Sequence, residues 1–398
     1  MNVFLKFTIF VCLILLFSCK GKETSKNEET FDQGDSLMIL NFSDQSVVDT
    51  ISYDNFIKEI RYIPLETTDK SVLGGNAIQI RKIEDNLIVS SGVFKGMLIK
   101  RFDINGKYIG NLFNLGRGRN ELTFPFNWTA NDSAKVVIIV GQNKLLYYDA
   151  STSSLSDIRV KDTPYLSTML NNGDYVVSQS ETSDPRSGTS ELPYMYFLDR
   201  NGNVISERYY SSKRDIAYRA IPDVGSYPYE SYILKPAYYG SVFSDMFNDT
   251  IYKIKSKDNI VPGYVLNRGK KYMPLIDEVH DDLNKKAKKI YFVSVTDSPD
   301  YLFVSYWYNE LYCNSMWSKK TGDLIANVEI EKDVYNKLFW KYDCYMPFSF
   351  DGFKGILPID YVTADNKIYV SIKAAQLKNV LSNLKDDDNP VIVEITLR

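Results

Sequence analysis

The chain contains one histidine, His280, and that count removes most of the familiar base chemistry. Histidine is the usual general base and metal ligand near neutral pH. A Ser-His-Asp or Cys-His arrangement therefore has a single candidate base. The motifs G-x-S-x-G, H-E-x-x-H and paired C-x-x-C do not occur. His280 borders an apolar face formed by Ile276 and Leu283, a position that suits a packed histidine better than a catalytic one. Acids are plentiful, with 50 Asp and Glu, so a carboxylate pair assisted by tyrosine is the chemistry left to an enzyme. No loop carries the ligand spacing of a calcium loop, and no cofactor or metal is expected.

Two other groupings suit binding. Gly116-Arg117-Gly118-Arg119-Asn120-Glu121 has the glycine-rich backbone and arginines of an anion cradle, with Arg117 and Arg119 as the contacts. Its competing reading is a crossover between structural units that needs glycine for positive φ. The second grouping is aromatic. Tyr209, Tyr210, Tyr218, Tyr227, Tyr229, Tyr232, Tyr238 and Tyr239 are interrupted by Pro222, Pro228 and Pro236. Phe339, Trp340, Tyr342, Tyr345, Phe348, Phe350 and Phe353 surround Pro347. Neither run keeps a period of two, which suggests long loops presenting flat, amphipathic rings to a sugar, peptide or protein. Tyr227, Tyr229, Tyr239, Trp340 and Tyr342 are the expected contacts; the competing reading is packing between sheets.

These residues need a scaffold, and a recurring hairpin supplies it. Leu98–Phe102 and Tyr108–Leu112 are apolar and aromatic runs flanking Asn105-Gly106, a strong hairpin signal. The unit returns at 145–158, 196–207, 251–262 and 316–327. Asp103, Asp149 and Asp199 open equivalent turns, spaced 46 and 50 residues apart. A period of roughly 40–50 residues, each unit a small antiparallel sheet, indicates a β-propeller. Counting hairpins and the final strand Val391–Leu397 gives an all-β, six-bladed propeller of four-stranded antiparallel blades over residues 37–398, with an N-terminal strand completing the last blade. Two inserts have helical spacing: Leu275–Ile290, and Lys373–Leu384 with Ala374, Leu377, Val380, Leu381 and Leu384 on one face.

The beginning of the chain is an address. Lys6 is the only charge before Phe7–Phe17, an apolar run too short to span a membrane, and Leu16-Phe17-Ser18-Cys19 resembles a bacterial lipobox. Residues 1–18 are expected to be a lipoprotein signal peptide, with Cys19 as the lipidated residue. Residues 19–36 are expected to form a flexible tether. Lys20 after the cysteine resembles sorting signals for the outer membrane, with the face of that membrane left open. Cys12 lies in the signal, so Cys313 and Cys344 are the pair left for a possible disulfide. A net charge of −3 argues against nucleic acid as a partner. Tyrosine is abundant, at 30, but β-sheets favour aromatics.

Four motifs carry a family resemblance: Tyr62-Ile63-Pro64-Leu65-Glu66, Phe102–Lys107 with Gly116-Arg117-Gly118 and Glu121, Asn248-Asp249-Thr250-Ile251-Tyr252, and Asn389-Pro390-Val391. With them the chain resembles the six-bladed β-propeller lipoproteins of Bacteroidetes, themselves similar to NHL-repeat propellers. That family usually has a Gly-Pro-Gly-Glu-like loop where this chain has Gly118-Arg119-Asn120-Glu121. The expected function is a lipid-anchored envelope module that binds a glycan, a peptide or an outer-membrane protein. The alternative is a hydrolase or lyase using carboxylates and tyrosines at the pore mouth.

Overall fold

The computed structural model describes residues 37–42, 53–74, 79–92, 97–141, 144–160, 166–178, 195–208, 232–245, 249–272, 288–331 and 344–398, all within the unit Leu37–Arg398. Its first two strands, β1 (Met38–Asn41) and β2 (Ile57–Pro64), both serve blades completed much later in the chain. Blade 1 is β3 (Gln79–Ile83), β4 (Asn86–Ser91), β5 (Leu98–Asp103) and β6 (Tyr108–Asn111). A two-residue parallel pair, β7 (Asn114–Leu115) and β8 (Glu121–Leu122), frames the glycine-arginine loop. Blade 2 is β9 (Pro125–Asn131), β10 (Val136–Gly141), β11 (Lys144–Asp149) and β12 (Ser154–Arg159). Blade 3 is β13 (Leu166–Met169), β14 (Tyr175–Ser178), β15 (Met195–Leu198) and β16 (Val204–Arg208). Blade 4 is β17 (Tyr232–Ala237), β18 (Gly240–Asp245), β19 (Thr250–Ser256) and β20 (Asn259–Asn267). Blade 5 is β21 (Tyr291–Asp297), β22 (Tyr301–Tyr308), β23 (Leu311–Ser318) and β24 (Leu324–Ile330). Each is an antiparallel meander.

The turn-opening aspartates explain the repeat. Asp103 Oδ1 accepts the N–H groups of Asn105 and Lys107, both at 2.9 Å. Asp149 Oδ1 accepts those of Ser151 and Thr152, and Asp199 Oδ1 those of Asn201 and Asn203. A short carboxylate that satisfies the turn's own donors fixes the hairpin locally. Ser256 and Ser318 hydroxyls replace it in blades 4 and 5. Gly106, at φ +89°, is required twice over: a Cβ there would stand 2.1 Å from the Pro64 carbonyl oxygen at the end of β2.

Blade 6 joins the two ends of the chain. After the hairpin of β25 (Cys344–Phe350) and β26 (Phe353–Ile359) come β27 (Lys367–Ile372) and β28 (Val391–Leu397). β26 packs against β27 without a continuous ladder, and the sheet order is β2-β28-β27. β2 is the N-terminal strand that completes the last blade, with Ile60 opposite Ile395 and Ile63 opposite Ile392. Asn389 locks this closure. Its Nδ2 donates to the Glu66 and Ser71 carbonyls (2.7 and 3.1 Å), its Oδ1 accepts from Leu73 N–H, and its N–H reaches Thr67 Oγ1. The earlier strand β1 instead lies parallel on the outer edge of β20, Met38 opposite Tyr264. Leu40 and Phe42 are wholly buried there, Phe42 with its ring centroid 5.0 Å from that of Tyr306.

The core lies between blades. Ile83, Ile88, Trp128, Val137 and Ile139 pack between blades 1 and 2, and equivalent clusters recur around the ring. Middle strands are buried on both faces, all six residues of β10 among them, and therefore read as continuous apolar runs. The expected helix over Lys373–Leu384 is a 3-10 turn at Ala374–Gln376 followed by further turns. Its apolar face does pack on blade 6, with Leu377 buried and Val380, Leu381 and Leu384 partly so. A helix this short is marginal, and Asn379, Ser382 and Asn383 favour turns. Most of the other expected helix, residues 275–287, lies outside the described residues. Cys313 and Cys344 are free and buried, one in the cluster facing blade 4 and the other in the cluster facing blade 6.

Candidate functional site

The glycine-arginine loop cradles a carboxylate, and the carboxylate is its own. Glu121 turns back beneath the loop and accepts the Gly118 N–H at 2.8 Å, while a Cβ on Gly116 would fall 2.0 Å from Glu121 Oε2. Asn120, which replaces the family's glycine, takes φ +62°. Arg117 and Arg119 are exposed; Arg119 Nε lies 3.7 Å from Asp157, a carboxylate also approached by Lys144.

Tyr239 sits in a buried network between blades 4 and 5. With Tyr238 it forms the turn from β17 to β18, closed by Gly240. Tyr239 and Tyr264 hydroxyls donate to Asp297 Oδ2 at 2.8 and 2.5 Å. Lys319 Nζ donates to Asp297 Oδ1 (2.9 Å), to the Ser298 carbonyl (2.7 Å) and to the Tyr238 hydroxyl (3.2 Å). Asp297 is 1% exposed. Burial alone would lower the Lys319 ammonium, but the charge and bond of Asp297 outweigh it and hold the group above its ordinary value.

Other buried ionic groups are paired in the same way. Arg81, in innermost strand β3, donates to Asp360 of blade 6 at 2.7 Å, with its guanidinium near the rings of Trp128 and Tyr361. Glu394 takes the Tyr369 hydroxyl and Lys367. Arg268, 1% exposed, ties Asp249 to the Ile290 carbonyl and so fixes the start of β19 to the entry of blade 5. Among the described residues no three His, Cys, Asp or Glu side chains gather in a metal-holding group. Asp297, Lys319, Arg81 and Asp360 were not singled out from the sequence. Arg81 stands beside Lys82 in the mixed strand Gln79–Ile83 and Lys319 beside Lys320 in a turn, so neither carried a signal in the sequence.

A separate cavity of about 480 Å³ opens beside the closure, lined by Pro64 at the end of β2, by Leu65 and Thr67 after it, and by Val380–Leu384 and Asp388 of the blade 6 insert.

A family model described as a domain of unknown function, DUF4934, matches residues 39–396. The chain belongs to the DUF4934 family. Among solved structures, a Bacteroides fragilis protein described as exported is similar to it at TM-score 0.64 and 17% identity, over 90% of this chain and 99% of that one. At that identity the likeness shows the fold alone. Kuenenia stuttgartiensis hydrazine synthase matches at TM-score 0.35 and 13% identity, over 69% of this chain and 80% of its own, too distant to inform. No curated protein matches the sequence.

Of the residues expected to bind in this DUF4934 propeller, Tyr227, Tyr229, Trp340 and Tyr342 lie outside the described residues, as do His280 and Cys19. The rest of the second aromatic run corrects the loop expectation. Tyr345, Phe348 and Phe350 belong to β25 and Phe353 to β26, and all four are buried. Buried Met346, Phe348 and Phe350 alternate with half-buried Pro347 and exposed Ser349, while Cys344–Met346 are buried in succession, so the period of two covers only half of β25.

The buried phenols set a pH limit. Burial, reinforced by Asp351, Asp297 and Glu394 respectively, pushes Tyr62, Tyr239 and Tyr369 above their ordinary range; burial also drives Tyr361 up to about 12. In the unfolded chain a phenol ionises near about pH 10. A folded value above the unfolded one gives stability fully present below the unfolded value and lost as pH rises through the folded one. The unfolding temperature should therefore stay level through neutral pH and fall steeply above about pH 10. A pH series of thermal melts checks this, and a level curve to about pH 12 would contradict it.

Proposed function

We propose that the chain is a lipid-anchored propeller of the bacterial envelope that acts as a binding module for a glycan, peptide or envelope partner. The observation that supports binding over catalysis is the use of its buried charges. Asp297, Asp360 and Glu394 each engage a cation, a phenol or both as ties between or within blades, and the buried Arg268 is met by Asp249. Such an interior holds geometry, whereas a hydrolase or lyase needs two carboxylates converging on a cleft. The aromatic segments 209–231 and 332–343 fall between an outermost strand and the next innermost strand, where propellers carry their variable connections. The Leu16–Cys19 motif supports lipidation, and Lys20 supports the outer membrane. The export of the Bacteroides fragilis relative agrees with an envelope location.

Native pull-down of the lipidated protein and glycan-array screening would supply the ligand. Tyr227→Ala, Tyr229→Ala and Trp340→Ala should then each weaken binding about two- to tenfold, from roughly 0.5–1.5 kcal/mol per ring contact. Cys19→Ala should release the protein from the membrane fraction. Unchanged binding in all three ring variants, or turnover abolished by His280→Ala alone, would overturn the binding reading. Undiminished membrane fractionation of Cys19→Ala would overturn the anchor.

A further inference from the structure

The cavity beside the ring closure has a definable chemistry. Its floor is aliphatic, from Leu65, Val380, Leu381 and Leu384, and its rim is polar, from Thr67, Ser382, Asn383 and Asp388. At about 480 Å³ it falls within the range of ligand sites. No aromatic ring lines it, which removes the stacking surface a sugar would use. Its one charged side chain is Asp388, which uses Oδ2 to accept the Lys385 N–H (2.8 Å) and keeps a second oxygen for a cation. With no lysine or arginine in the lining, an anion would be unpaired there.

The surroundings favour an extended peptide over a compact small molecule. The cavity opens at the end of β2, an edge strand that is paired, among the described residues, only to β28. The backbone along such an edge can pair with an added strand. The same propeller shows the device elsewhere: β1 is a four-residue segment laid along the outer edge of blade 4, inserting Leu40 beneath it.

We infer that this cavity is a docking site for an extended partner peptide, with an aliphatic side chain in the pocket and a basic side chain on Asp388. The inference rests on the binding-module reading but uses none of its aromatic residues, so the two fail separately. In an extended chain, side chains two positions apart share a face. The probe is therefore a seven-residue peptide with central leucine, lysines two positions to either side and serine elsewhere. Two controls replace the lysines by glutamate or the leucine by serine.

Fluorescence anisotropy with the full-length protein in detergent should show the leucine–lysine peptide binding at least tenfold more tightly than either control. Asp388→Asn, which retains an acceptor for Lys385, and Asn383→Trp, which fills the pocket from an exposed position, should each weaken it about tenfold. Trp340→Ala should leave it unchanged. Equal binding of the three peptides, no binding of any, or full binding to Asn383→Trp would overturn the site. Loss of binding in Trp340→Ala with the pocket variants unaffected would assign the peptide to the aromatic segments instead.

Discussion

A chain ending at Pro390 should lose cooperative unfolding of the whole ring, not of one blade. β28 is the middle strand of β2-β28-β27, and Val391, Ile392, Val393 and Ile395 are completely buried. Without it β2 has no ladder, the Asn389 clamp has nothing to close, and the exposed flanks of β27 and β2 become free edges. Closure is what removes edges from a propeller, so its loss reaches every blade through the packed interfaces between them. Far-ultraviolet circular dichroism and urea unfolding of the truncated and intact chains test this. A single transition at the wild-type midpoint would show that the ring stands without its last strand.

Asp297→Ala should be the most costly single change between blades 4 and 5, at about 3–5 kcal/mol. The substitution removes the counter-charge of the Lys319 ammonium, which keeps the Ser298 carbonyl and the Tyr238 hydroxyl, and takes away the acceptor that the Tyr239 and Tyr264 hydroxyls share in a largely buried interface. Breaking one partner of a buried pair costs far more than the pair itself contributes, because the remaining charge stays desolvated. Asp157→Ala serves as the contrast, since Asp157 meets Arg119 and Lys144 only at 3.7 and 3.8 Å near the surface, and should cost less than about 1 kcal/mol. Chemical denaturation followed by tryptophan fluorescence measures both. Equal losses in the two variants would mean that the Asp297 network contributes no more than a surface contact.

The repeat was legible because its cause is local. Asp103, Asp149 and Asp199 bind donors two to four residues away, so the same short pattern had to recur wherever the hairpin did. Asn389 was visible as a motif, but its role was not, since all four of its bonds reach residues more than 310 positions distant. The network around Tyr239 was illegible for the same reason. Its partner Asp297 is 58 residues away and belongs to another blade, and a tyrosine before a glycine looks alike whether its hydroxyl meets solvent or a buried acid. The aromatic run through Phe348, Phe350 and Phe353 misled because alternation is the signal of a strand with one wet face, and in β25 that face is only Pro347 and Ser349, after three successive buried residues and before a turn to Phe353 on β26.

The pairing of β2 with β28 also dictates an order of events. The ribosome delivers β2 long before its ladder partner β28, so the ring cannot close until β28 has emerged. Five blades can assemble from contiguous segments, while blade 6 waits on the slowest loop closure in the molecule. Throughout that interval β2 is an unpaired, half-apolar edge. In this topology the ring closes only where β28 meets β2, and every earlier state of the propeller is an open arc.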